Sequence, residues 1–157
     1  MVSPWKLFAA SFLIWSSAFA GKMPEAKQDV TFKKEKITLA GKTISVEVAE
    51  TPEQHEHGLM FRNSMPENDG MIFIFGEEDT RYFWMKNTYI DLSIGYFDKD
   101  KTLIDIQEMK ATSMMETRPP SYPSAKPAMY ALEMNKGWFA KNKVKLGQKF
   151  QFSMRRQ

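Results

Sequence analysis

Cysteine is absent from the 157 residues. That excludes a disulfide scaffold, thiol catalysis and any cysteine-ligated metal. Histidine is nearly as scarce. The two copies, His55 and His57, flank Glu56. In a helix, positions i and i+2 point about 200° apart, so the two imidazoles cannot share one metal. They also lack the i, i+4 spacing of a zinc-protease helix. A solvated helix face is expected for them. Neither sign of charge is in large excess: 22 Lys+Arg oppose 19 Asp+Glu, a formal +3. This gives no case for a nucleic-acid partner. After residue 20 no apolar run is long enough to cross a bilayer. Aromatics are not lacking, with sixteen beyond residue 20, so a packed core is expected and a disordered chain is not.

The first twenty residues stand apart. Lys6 is the only charge before an apolar run from Leu7 to Ala20, which ends in Ala18-Phe19-Ala20 before Gly21. A positive start, a short apolar middle and an A-x-A end make a secretory signal peptide. No cysteine follows the cleavage point, so a lipoprotein is not expected. The expected organisation is a signal peptide over 1–20, a flexible leader over 21–33 and one β-rich domain over 34–157. The expected product is an exported, periplasmic or extracellular monomer with no membrane span after cleavage.

Strand signals dominate the rest. Ile37 and Leu39, then Ile44, Val46 and Val48, alternate with polar residues around Ala40-Gly41 and predict a hairpin. Thr51-Pro52-Glu53-Gln54 predicts a helix start, with Thr51 as N-cap and Gln54 closing a capping box, and the helix running to about Phe61. Met71–Phe75 is apolar on both faces and predicts a central strand. Tyr82-Phe83-Trp84-Met85 reads the same way. Leu92, Ile94 and Tyr96, a turn at Asp98–Lys101 and a return over Leu103–Met109 predict a second hairpin. Residues 110–127 hold Pro119, Pro120, Pro123 and Pro127 and predict a long extended loop. A strand over Ala128–Met134, a short helix within Asn135–Lys141 and a final strand at Phe150, Phe152 and Met154 complete the chain. The fold class is α+β, mainly β: a single strongly curved antiparallel sheet or open barrel of about eight short strands with one or two short helices.

Glu53-Gln54, Gly58-Leu59-Met60-Phe61-Arg62, Asp69–Phe75 and Phe83-Trp84-Met85-Lys86-Asn87-Thr88 occur in an order that resembles the domain of unknown function 192 family. Tyr122, Ser124, Leu132-Glu133, Gly137 and Gly147 continue the likeness. The resemblance implies a compact β-rich domain and no particular reaction. One departure stands out. After W-M-K-N-T the family reads I-x-L-D, whereas Ile90-Asp91-Leu92-Ser93 puts Ser93 in the acid's place. In a strand, residues i and i+2 share a face, so Asp91 can offer a carboxylate there from about 6–7 Å away.

The polar candidates follow from placement. Lys86 and Asn87 leave an apolar strand at a sheet rim, and Arg62 at the helix end brings five further donors. Together these suit a carboxylate, phosphate or sugar acid. The competing reading pairs Arg62 with Asp69 or Asp91 and makes Asn87-Thr88 a turn. Glu133 ends an apolar strand and suits either an acid–base role, with Asp91 as its partner, or a buried ion pair. Met109, Met114 and Met115 carry thioethers that suit Cu(I), or else pack the core. Tyr122 and Ser124 lie between prolines, on a lid or a strap. The leading reading is a non-enzymatic ligand-binding module for a small anionic or saccharide-like group, without a cofactor or resident metal, at Arg62, Trp84, Lys86, Asn87, Asp91, Tyr122 and Ser124. A cell-envelope hydrolase or lyase using Asp91 and Glu133, and a protein-interaction module, are the alternatives.

Overall fold

The computed structural model describes residues 30–113 and 115–153. The expected signal peptide, most of the leader, Met114 and Met154 lie outside the described residues. The first hairpin pairs β1 (Lys33–Leu39) with β2 (Lys42–Ala49) in the expected register, Ile37 opposite Ile44. β1 begins inside the segment expected as a leader. Thr31 is held there by a hydrogen bond from Gln54 Nε2 to its carbonyl, 2.8 Å. Helix α1 (Pro52–His57) starts as its sequence dictates: Gln54 N donates to Thr51 Oγ1 at 3.3 Å, and Thr51 N donates back to Gln54 Oε1 at 3.1 Å. The capping box closes two orphan amides, a contribution of about 1 kcal/mol. The helix ends at Gly58, four residues before Arg62 and earlier than expected, because Gly58 takes φ +47°.

After α1 the chain enters β3 (Asp69–Asp79), β4 (Tyr82–Trp84), β5 (Leu92–Phe97), β6 (Leu103–Met109), β7 (Ser121–Pro123) and β8 (Ala128–Asn135). A one-turn helix α2 (Trp138–Lys141) and β9 (Phe150–Phe152) finish it. Seven strands form one strongly curled sheet in the order β6-β5-β8-β3-β2-β1-β9. A bridge between Thr102 and Lys149 ties the two edges together. The pairing is antiparallel with one correction: β2 and β3 run parallel. Parallel neighbours need a crossover, and residues 50–68, with α1 inside them, supply it. A second correction concerns β4. It is not a central strand but half of a two-stranded ribbon with β7, and Tyr82 and Trp84 are exposed while Phe83 is buried. The expected proline loop therefore contains a strand.

The two faces of the large sheet carry separate cores. The inner one gathers Ile37, Ile44, Val46, Ile72, Phe97, Leu132 and Phe150 under Trp138 and Phe139 of α2. Gly95 is required here, because a Cβ would lie 2.8 Å from the Phe139 ring. The outer core gathers Met71, Phe73, Leu92, Ile94, Tyr96 and Met109 beneath Leu59 and the Phe83 and Met85 side chains. Among the described residues no helix is long and apolar enough to cross a membrane.

Candidate functional site

The parallel register sets one row of side chains across the outer face: Glu47 beside Met71, Met71 beside Glu133, and Glu133 beside Ile94. Glu133 is therefore a carboxylic acid in the middle of an apolar surface, and only 4% of it is exposed. Burial pushes its carboxyl up to about 8, against the opposing pull of the Arg62 charge. Among the described residues none hydrogen-bonds to or ion-pairs with it. The residue instead lines a narrow cavity of about 20 Å³, room for about one water.

The walls of that cavity come from α1 and the residues after it (His55, His57, Leu59, Met60), from Phe73 and Phe83, and from Trp84 and Lys86. A wider groove of about 280 Å³ adjoins it and shares Glu56, His57, Met60 and Lys86 as walls. Val30, Glu53, Phe61 and Asn87 complete the groove. The wall positions are locked locally. Asn87 adopts φ +52° and Phe61 φ +65°, and Phe61 N donates to the Asn87 carbonyl at 2.8 Å. Asparagine tolerates this left-handed backbone. Thr112 Oγ1 donates to the Met85 carbonyl and Thr112 N to that of Thr88 at 3.1 Å, which fixes the turn that carries Lys86.

The histidines are not a solvated face. Both are half-buried. His55 Nε2 lies 3.0 Å from the Ala49 carbonyl, with its ring 4.6 Å from that of Phe75. His57 Nδ1 lies 3.1 Å from the Gly58 carbonyl. Both line the cavity. They escaped the sequence reading because a helix of six residues is too short for its polar pattern to identify a buried side.

The sequence-predicted residues divide. Trp84, Lys86 and Asn87 come together at the groove or its throat. Lys86 Nζ sits 5.1 Å from the centre of the Trp84 ring. Arg62 lies nearby but is taken: its guanidinium forms a two-pronged ion pair with Glu47. The partner is thus neither Asp69 nor Asp91, because the parallel register sets Glu47 closer. Asp91 lines neither cavity. Its carboxylate accepts from Ala111 N at 2.8 Å and pairs with Lys136 at 3.0 Å, contacts that hold it below the usual carboxylate range, the backbone bond first. Ser93 instead donates to Glu108 at 2.8 Å and accepts from Gly137 N at 2.7 Å. Tyr122 and Ser124 brace the ribbon. Tyr96 Oη donates to the Tyr122 carbonyl at 2.5 Å, and Lys110 N to Tyr122 Oη at 3.2 Å. Ser124 Oγ accepts from Arg81 N at 3.0 Å and donates to the Lys126 carbonyl at 2.8 Å. Both belong to the strap reading. Met109 is buried in the outer core, whereas Met115 is exposed. Among the described residues no group of three or more His, Cys, Asp or Glu is placed to hold a metal.

Residues 35–152 match the domain of unknown function 192 family, described as an uncharacterised ACR. The chain belongs to this family. A solved structure described as a candidate transcription regulator from Sinorhizobium meliloti 1021 is similar at 34% identity, with a TM-score of 0.70, over 79% of this chain and 97% of that one. A protein of unknown function from Novosphingobium aromaticivorans DSM 12444 is similar at 30% identity, with a TM-score of 0.69, over 76% of this chain and 86% of that one. Among curated proteins none matches the chain. The matched span of the domain of unknown function 192 family includes both cavities apart from Val30.

Proposed function

We propose that this protein is a non-enzymatic ligand-binding module, exported to the periplasm, that takes a small molecule with an anionic or saccharide-like group. The observation that carries the reading is Glu133, a buried acid with no hydrogen-bond or ion-pair partner among the described residues, in the lining of a cavity that Lys86 also lines. A group folded into an apolar face at an energetic cost, and left unpaired there, is what a site that hydrogen-bonds a ligand requires. Below about pH 8 the protonated carboxyl donates a hydrogen bond, and Lys86 supplies the positive charge. With Arg62 bound to Glu47, Lys86 becomes the principal cation of the site. Trp84 offers an apolar platform at the mouth. The acid–base reading needs Asp91 and Glu133 on one cavity, and Asp91 stands elsewhere, held by Lys136 and Ala111. Export is supported by Lys6, the apolar run behind it and Ala18-Phe19-Ala20.

A thermal-shift screen of sugars, sugar acids, amino acids and nucleotides tests the binding reading. One class is expected to raise Tm, with the shift lost in Lys86→Ala and reduced in Glu133→Gln. If no compound shifts Tm, the binding reading falls and a protein-interaction module takes its place.

A further inference from the structure

The walls of the groove carry both signs of charge. Lys86 is exposed, and none of the described residues forms an ion pair with it. Glu53 and Glu56, also exposed, line the same groove from α1. Glu53 is held ionised by hydrogen bonds to the backbone at the helix start and to the Thr51 hydroxyl. No cation among the described residues pairs with Glu56. Val30, Met60 and Phe61 give the same groove an apolar lining. A purely anionic ligand meets two carboxylates within a Debye length, and a purely cationic one meets Lys86. A ligand with one charge of each sign meets neither penalty. The volume, about 280 Å³, lies at the small end of ligand pockets, which run from roughly 300 to 1,000 Å³.

Resting on the binding reading above, we propose that the ligand is a zwitterion, an α-amino acid with an aliphatic side chain. Its carboxylate lies at Lys86 and the Glu133 throat, its ammonium faces Glu53 and Glu56, and its side chain lies on Met60 and Phe61. Glu133, buried in the lining of the adjoining cavity and without a hydrogen-bond or ion-pair partner among the described residues, is the feature that separates this arrangement from an ordinary charged surface.

The test compares L-leucine with two relatives that each keep one charge: N-acetyl-L-leucine, an anion, and L-leucine methyl ester, a cation. Thermal shift and calorimetry on the protein are expected to show binding of L-leucine alone. Glu56→Gln and Lys86→Ala are each expected to weaken it by about ten-fold. All three side chains changed in the tests of charge (Glu53, Glu56, Lys86) are exposed, so the variants fold. Binding of N-acetyl-L-leucine as tight as that of L-leucine overturns the zwitterion, as does unchanged affinity in the double variant Glu53→Gln/Glu56→Gln. A sugar acid that binds in a Lys86-dependent way while L-leucine does not overturns this inference and leaves the binding reading standing. Silence from every compound overturns both.

Discussion

The inner and outer faces of the sheet are built from the same strands but treat polar atoms differently. On the inner side the buried polar groups of Trp138 and Ser93 have partners: Trp138 Nε1 donates to Asn68 at 3.1 Å, and Ser93 meets Glu108 and Gly137. On the outer side Tyr96 is satisfied by Tyr122, but Glu133 is left to a cavity. An inner face of this kind is complete once folded. The outer face keeps a cost that folding alone does not offset, and such a cost is retained where it serves binding.

The contrast can be broken at several points. The largest effect is expected from Phe139→Ala on the inner face. The ring is 1% exposed and rests on Gly95 and Trp138. Its loss should cost about 3–5 kcal/mol and lower Tm by on the order of 10 °C, read by thermal unfolding, while ligand binding persists in the folded fraction.

Next comes Glu133→Gln, which acts in the opposite direction. The folded carboxyl titrates near 8 and the unfolded one near 4.5. Between these values the folded state holds a proton that the unfolded state has released, so stability falls as pH rises through that window and levels off above it. The charged and titratable groups around it (Arg62, Glu47, His55, His57, Lys86 and Tyr96) remain in the variant. Glutamine removes this slope. Between pH 4.5 and pH 9 the variant should gain on the parent by on the order of 4 kcal/mol, and at pH 9 it should be the more stable of the two. A parent and variant with parallel curves over pH 4.5–9 would remove Glu133 from the argument.

Much of this layout is legible in the sequence, and the gaps have physical causes. Alternation locates β1, β2 and β5, because each has at least one buried face that enforces period two, and the turn after β5 locates β6 as its return. The capping box locates α1. Period two says nothing about strand direction, so the parallel β2–β3 pair stays hidden. With it stays the ion pair between Arg62 and Glu47, whose meeting depends on that register. Tyr82–Trp84 reads as core because an unbroken apolar run has no period to show which side is wet. Lys86, Asn87 and Trp84 are recoverable as a rim. The pocket that joins them to Glu133 and the two histidines is a product of three-dimensional packing, and α1 is too short to advertise it.

The remaining tests sharpen the contrast at its edges. Tyr96→Phe removes the hydroxyl that donates to the Tyr122 carbonyl. A loss of about 1 kcal/mol is expected in denaturant unfolding, with faster amide exchange in β4 and β7. The smallest effect belongs to Asp91→Asn. Its side chain is 38% exposed, so the pair with Lys136 is largely screened. A loss of under about 1 kcal/mol is expected, present at neutral pH and vanishing as the parent's Asp91 is itself protonated below its ordinary 3.8. Unaltered binding in this variant would agree with Asp91 lying outside the site, whereas lost binding would return it to the reckoning.

The crossover between β2 and β3 has a consequence for how such a protein can diversify. Most of the groove wall, from Glu53 to Phe61, belongs to the single stretch over residues 50–68 that leaves one strand and returns to its neighbour. The two ends of that stretch are anchored by sheet pairing, so its interior can be exchanged as one cassette without shifting any strand. Transplanting residues 50–68 between relatives should carry ligand preference with it, and the barrel beneath should act as an indifferent chassis.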